Sequence, residues 1–474
     1  MKNIYEEMLK DLGTATNHSQ SRREFLRTAA RLSVAGTAAP FALNLAGIGA
    51  AAAQTASDYK ALVCIFLYGA NDHNNTVITV DAASFAAYTN ARSTISRPMS
   101  DVLPLTPAVP LAGVNVGRQF GLPKELAPLK TIWDQGKLAV LANVGPLMVP
   151  TTKTQYTNNS VPLPPKLFSH NDQQSVWQSS SPEGAKYGWG GRMGDLFASQ
   201  NANSIFTCNS ISGSAIFLAG RTVAAYQLGV QGSVAITGLS GNLFGSSTAG
   251  ATLRSLITTG GSNVFSQDLA ATAQRSVSAD SSLSAALTNV ADFPLAGDLA
   301  SNSLAAQLRV VSRMIGARTA LGSKRQVFFV SLGGFDTHDN QLTTQPDLHG
   351  QLAAAMSYFY ANLQTLGVSD QVTSFTASDF GRTLTSNGDG SDHGWGSHHF
   401  IMGGAVKGRQ YYGTFPVMGI GNNDEVGSGR LLPTTAVDQY AATLARWFGV
   451  SDTDMKLVVP NVSNFATANL GFMG

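Results

Sequence analysis

Short unbroken apolar runs alternate along this chain with longer stretches of helical spacing. Residues 61–68 (ALVCIFLY), 137–144 (KLAVLANV), 326–331 (QVFFVS) and 372–377 (VTSFTA) are rich in Val, Leu and Phe. Such continuous runs predict strands buried on both faces. Between them, 123–135 places Leu126, Leu129, Ile132 and Trp133 on one helical face. The stretch 298–321 does the same with Leu304, Leu308, Val311 and Ile315, and 349–366 with Leu352, Met356, Phe359 and Leu363. Residues 262–290 and 435–448 also have helical spacing. Strand, crossover helix, strand units build parallel sheets with right-handed connections. An α/β fold with a mostly parallel central sheet is the expectation.

Two regions break this rhythm. Residues 146–166 are rich in Pro, Thr and Asn and predict a long surface loop, while 204–218 reads as a pair of short strands. The Gly- and Ser-rich, uncharged stretch 226–247 belongs to an insertion or cap spanning roughly residues 200–300.

The first fifty residues do not read as fold. Ser21-Arg22-Arg23-Glu24-Phe25-Leu26-Arg27 is a twin-arginine export motif, followed by a mild Ala/Leu/Gly run that ends at Ala51-Ala52-Ala53. Residues 1–53 are therefore expected to form a signal peptide handled by the twin-arginine export machinery, with 54–474 as the mature domain in the periplasm or secreted. The run is too short and too rich in Gly and Ala for a stable membrane span. Lys and Arg number 31 against 29 Asp and Glu, a net charge of +2, so bulk electrostatics suggests no nucleic-acid partner. Cys64 and Cys208 lie in separate apolar runs and read as buried free thiols.

Polar chemistry gathers where the apolar runs stop. The first ends in Gly69-Ala70-Asn71-Asp72, the third in Gly333-Gly334-Phe335-Asp336-Thr337-His338, and the fourth in Ser378-Asp379. A glycine-rich loop follows Asp379, and then come His393, His398 and His399. Ligands of open α/β sheets bind at the carboxyl ends of strands, so these carboxylates and imidazoles suggest a divalent-metal or catalytic site. The same residue types also cap helices and anchor loops. Ser169, ahead of the helical stretch 173–178, has two readings: an N-cap, or a nucleophilic or anion-binding hydroxyl. His170 and Asp172 fit surface positions equally well, and His349 reads as an exposed residue near the start of its helix.

These residues, with the twin-arginine motif, Ser169-His170, Ser378-Asp379-Phe380-Gly381-Arg382-Thr383 and Asp392-His393-Gly394-Trp395-Gly396, resemble domain-of-unknown-function family 1501, exported proteins of the alkaline phosphatase and sulfatase superfamily. The resemblance implies a three-layer sandwich around the central sheet and two divalent cations (Zn, Mn, Mg or Ca). Asp72 and Asp379 would hold one cation, and Asp336, His338 and His393 or His398 the other. Ser169 would be the nucleophile, and Arg382 either clamps a nonbridging oxygen or forms a salt bridge. The implied activity is metal-dependent hydrolysis of phosphate or sulfate esters on a small molecule or glycan. One departure stands out: the superfamily's Asp-His dipeptide is Asp379-Phe380 here. The other function on offer is therefore a non-catalytic descendant that binds an envelope ligand or partner.

Overall fold

In the computed structural model, the described residues are 58–239, 242–243 and 245–474. The expected signal segment lies outside them. Among the described residues, no helix is long and apolar enough to cross a membrane.

The central sheet is built from Lys60–Leu67 (β1), Leu138–Gly145 (β2), Cys208–Ser210 (β3), Arg325–Leu332 (β4), Val372–Ser378 (β5), Ser397–Gly403 (β6) and Gln410–Tyr412 (β7). Their order is β7-β2-β6-β5-β1-β4-β3, and a hairpin of Tyr226–Gly229 and Gly232–Ser233 extends the β3 edge. β5, β1, β4 and β3 run parallel, as do β7 and β2. β6 is antiparallel to both of its neighbours. The α/β, mostly parallel expectation holds.

β1 shows why the sheet carries helices on both sides. Residues 61–67 are at most 2% exposed. With a side-chain period of two, Ala61, Val63, Ile65 and Leu67 join the core formed with Ala127–Asp134 (α1), Ser303–Gly316 (α4) and Gln341–Thr365 (α5). Cys64 and Phe66 point the other way, towards Trp177 of His170–Ser179 (α2), Trp189 of Trp189–Phe197 (α3) and Tyr440 of Val437–Phe448 (α6). Each large apolar side chain fully buried in these layers contributes about 1.5–3 kcal/mol. Both cysteines are free and buried.

Three local expectations are corrected. The loop 146–166 contains a short helix, Lys153–Thr157, closed by a capping box between Thr152 and Gln155. In 204–218 a single strand lies between two 3-10 turns. α5 begins at Gln341 rather than near His349, because Asn340 adopts a left-handed conformation and turns the chain into the helix early. His349 is consequently 1% exposed, with Nε2 against the Thr76 hydroxyl at 3.1 Å.

Burial of histidines has a consequence for stability. Desolvation pushes His73, His349 and His399 down to about 3, with the Arg92 charge adding to the effect at His73. These folded-state values lie below the ordinary imidazole value of about 6.5, so the unfolded chain binds more protons in the window between. The stabilisation is complete above pH 6.5 and is lost as the pH falls through that window, at roughly 1.4 kcal/mol per pH unit for each group. Chemical-denaturation midpoints are expected to fall steadily from pH 7 to pH 5; a flat profile over that range contradicts the burial of neutral imidazoles.

Candidate metal centre

Parallel strands β1, β4 and β5 deliver their carboxyl ends to one side of the sheet. β1 stops at Leu67, and two residues on comes Gly69, whose φ is +105° and where an added Cβ would sit 2.4 Å from the Asp336 nitrogen. Only glycine permits that approach, which brings the segment after β4 against the end of β1. β5 leads into Asp379. Next comes a two-stranded ribbon, Arg382–Ser386 with Ser391–His393, in which Arg382 and His393 are paired across the strands. α2 points its first residue, His170, at the same place.

Four side chains converge there. His393 Nε2 lies 3.1 Å from His170 Nε2, 3.0 Å from His338 Nε2 and 3.3 Å from Asp336 Oδ1. Asp336 Oδ1 is 3.1 Å from His338 Nε2, and its Oδ2 is 3.4 Å from His170 Nε2. Among the described residues, the ligand atoms of His170, Asp336 and His393 lie close enough to one another to hold one ion, a group that leaves His338 beside it.

The remaining ring nitrogens decide what these close contacts mean. His393 Nδ1 lies 2.8 Å from the Phe168 carbonyl, which can only accept, so that nitrogen carries the proton. His170 Nδ1 faces Asp379 Oδ2 at 2.5 Å, and the same oxygen accepts from Gln174 Nε2 and the Gly69 amide. His338 Nδ1 lies 3.2 Å from Asp392 Oδ1, which also accepts from Asn387. In every neutral ring the proton therefore sits on Nδ1, and three Nε2 lone pairs and a carboxylate oxygen face one another. Lone pairs crowded at 3.0–3.4 Å repel unless a cation lies among them. A tetrahedron of N and O ligands about 2.0–2.2 Å from a metal has edges of roughly 3.3–3.6 Å, so His170, Asp336 and His393 fit three of its corners, with His338 standing beside them against His393 and Asp336. Orientation of each ligating imidazole by an oxygen on its far nitrogen is the usual outer support of a metal centre.

Charge around the cluster is arranged to match. Burial alone would raise the Asp336 carboxyl, but the Arg382 hydrogen bond and charge, with His338 and His170, leave it below its usual value. The hydrogen bond from Asp379 holds His170 above the ordinary imidazole range despite partial burial. Burial lowers His393, opposed by its bond to the Phe168 carbonyl. A proton and a cation would compete for His170 Nε2, so cation uptake would release protons. Asp379→Asn, which removes the charge behind His170, is expected to weaken cation binding about 10–100-fold, as loss of outer-shell partners generally does. Competition against a chromophoric chelator measures this, and unchanged affinity would show that Asp379 does not support the site.

Of the residues expected from sequence, Asp336, His338 and His393 meet at the centre, and Asp379 stands behind it. Asp72 holds a guanidinium instead of sharing a cation with Asp379: its Oδ2 takes Arg92 Nη2 and Gln341 Nε2, both side chains of the ion pair being fully buried. His398 and His399 lie inside β6, which begins at Ser397. His398 Nδ1 accepts from the Asn143 amide at 2.9 Å, and its ring packs edge-on against His73. Arg382 is fully buried and spends its donors on Asp336 (2.6 Å), the Gly69 carbonyl and Ser391. A clamp on a substrate oxygen is therefore unavailable to it, and the salt-bridge alternative is the one seen. Ser169 lies directly between Phe168 and His170, both of which touch the cluster.

His170 and Gln174 are the residues that sequence reasoning missed. One helical turn separates them on α2, so both reach Asp379. The signal was the Ser169-His170 dipeptide at the start of a helix, where an imidazole would point along the axis towards the strand ends. Phe380 packs against His170 and His393, with ring centroids 4.8 Å away in each case.

Among curated proteins none matches this chain. Solved structures that resemble it include the lipoteichoic acid synthase LtaP from Listeria monocytogenes (9% identity, covering 86% of this chain and 76% of that one, TM-score 0.33). Another is Ps i-CgsB in complex with k-i-k-neocarrahexaose (8% identity, 86% and 77% coverage, TM-score 0.35). A third comes from a Bacteroides thetaiotaomicron locus for the metabolism of multiple glycosaminoglycans (9% identity, 84% and 74% coverage, TM-score 0.33). Residues 59–460 match the family described as protein of unknown function (DUF1501). That match takes in β1, every ligand of the centre and the last long helix, and the chain belongs to the DUF1501 family.

Proposed function

We propose that this protein is an exported hydrolase of phosphate or sulfate esters that works with a single divalent cation. The observation that supports it most is the convergence of the His170 and His393 Nε2 lone pairs with the Asp336 carboxylate. Imidazole nitrogen donors suit Zn better than Mg, Mn or Ca, which prefer oxygen-rich shells. Arg92 gives Asp72 an internal cation, and this favours one metal over the two implied by the superfamily. The export route proposed is the twin-arginine machinery, and the substrate a small-molecule or glycan ester.

A bound divalent ion would supply Lewis acidity to an ester oxygen. His170, His393 and Asp336 would hold it, with Asp336 supplying one negative charge and a fourth position left open for the ester oxygen. Arg382 fixes the Asp336 carboxylate from behind. Ser169, one residue before His170, is the nucleophile, and the partial positive charge at the amino end of α2 favours an incoming anion.

Purified mature chain is expected to bind one zinc ion and to hydrolyse an aryl phosphate or an aryl sulfate. Turnover should disappear with a chelator and return on adding the ion back. Activity untouched by chelation, or failure to bind any divalent ion, would sink this reading.

A further inference from the structure

The geometry assigns Asp172 as the base that takes the Ser169 proton, an inference that rests on the ester-hydrolase reading above. Ser169 occupies the N-cap position of α2, yet its side chain makes no capping bond. A serine there ordinarily accepts from a backbone N–H of the first turn. Instead its Oγ donates to Asp172 Oδ2 at 2.9 Å. The hydroxyl proton is thereby directed at a carboxylate, and the oxygen lone pairs are left free.

Asp172 is built for the task. It is 3% exposed, and its second oxygen, Oδ1, lies 3.6 Å from Lys166 Nζ, which is itself largely exposed. The turn that carries Ser169 is held in an unfavourable backbone: Phe168 has φ of +72° and Lys166 of +46°. Such left-handed conformations in bulky residues cost on the order of 1–3 kcal/mol each and persist where the surroundings impose them. The surroundings here are the Gln173 side chain, bonded to the Pro165 carbonyl at 3.2 Å, and His393, bonded to the Phe168 carbonyl. The same strained turn therefore orients a ligand of the centre and sets Ser169 against its base.

As the Ser169 Oγ–P (or Oγ–S) bond forms, the hydroxyl proton moves to Asp172 Oδ2, and the bond to the leaving alkoxide breaks with its electron pair on that oxygen. Protonated Asp172 supplies the proton that makes the alcohol and is returned to the carboxylate. Water then attacks the Ser169 ester, the bond to Oγ breaks, and the water's proton returns through Asp172 to Ser169. Inorganic phosphate or sulfate leaves, and the enzyme is regenerated.

A phosphonofluoridate reagent, which phosphonylates activated serines, tests this without needing the natural substrate. On the zinc-loaded chain a single adduct is expected on Ser169 by peptide mass mapping, and none in Ser169→Ala. Asp172→Asn is expected to label at least about 100-fold more slowly, the lower range for general-base assistance, with part of the rate recovered in Asp172→Glu. Zinc affinity measured on the same samples reports folding of each variant. Labelling of Asp172→Asn at the wild-type rate, or zinc-loaded wild type with no adduct on Ser169, overturns the assignment. Wild type that labels at Ser169 in an Asp172-dependent way but binds no zinc upholds the couple and overturns the metal reading instead.

Discussion

Replacing His393 by alanine is expected to lower zinc affinity by at least about 100-fold, since even outer-shell partners of metal ligands are worth 10–100-fold. His393 is the hub of the cluster. Its Nε2 lies within 3.3 Å of a nitrogen or oxygen from each of His170, His338 and Asp336. Its Nδ1 also ties the ribbon to the strained turn at Phe168. The ring is only partly buried, so the fold should survive the change, and circular dichroism with a chelator competition separates lost binding from lost structure. A loss of less than threefold would mean that the lone pairs do not share an ion.

The second large effect is on stability. Arg92→Met is expected to destabilise the fold by about 3–5 kcal/mol, the usual result of leaving one member of a buried ion pair unpaired. Asp72 is 1% and Arg92 0% exposed. Arg92 also donates to the carbonyls of Thr383 and Leu384 at 2.8 and 3.2 Å, so the ribbon behind His393 leans on it. The double variant Asp72→Leu with Arg92→Met removes both charges and should recover a good part of the loss, because apolar replacements of buried pairs are often neutral. Its zinc stoichiometry should stay at one, as Asp72 serves the guanidinium. Equilibrium urea unfolding checks the first claim and a zinc titration the second; a double variant that folds yet binds no zinc would put Asp72 at the centre.

The sheet was legible because β1, β2, β4 and β5 are buried on both faces, and such strands must be apolar throughout. Helices α1 and α4 announced themselves by spacing for the same reason. α5 was harder to bound: its first turns carry Gln341, Gln345 and His349, polar residues buried by hydrogen bonding to Asn71, Asp72 and Thr76, which hydrophobic spacing does not reveal. Strand-end position correctly brought Asp336, His338 and Asp379 to one region. It failed for Asp72, because nothing in sequence marks Arg92, twenty residues later, as a buried partner. It failed for His398 and His399 because adjacent histidines in a strand point to opposite faces, and burial of both looks in sequence like a loop cluster. His170 was passed over because its role depends on the direction of a helix axis, which only the packing of α2 against β5 fixes.

The central claim is most directly tested by anomalous diffraction at the zinc edge from crystals of the zinc-loaded chain. One peak is predicted, bonded to Nε2 of His170 and His393 and to the Asp336 carboxylate, with bond lengths of about 2.0–2.2 Å. No peak among these three side chains, or a peak bonded to Asp72 or His398, would contradict it.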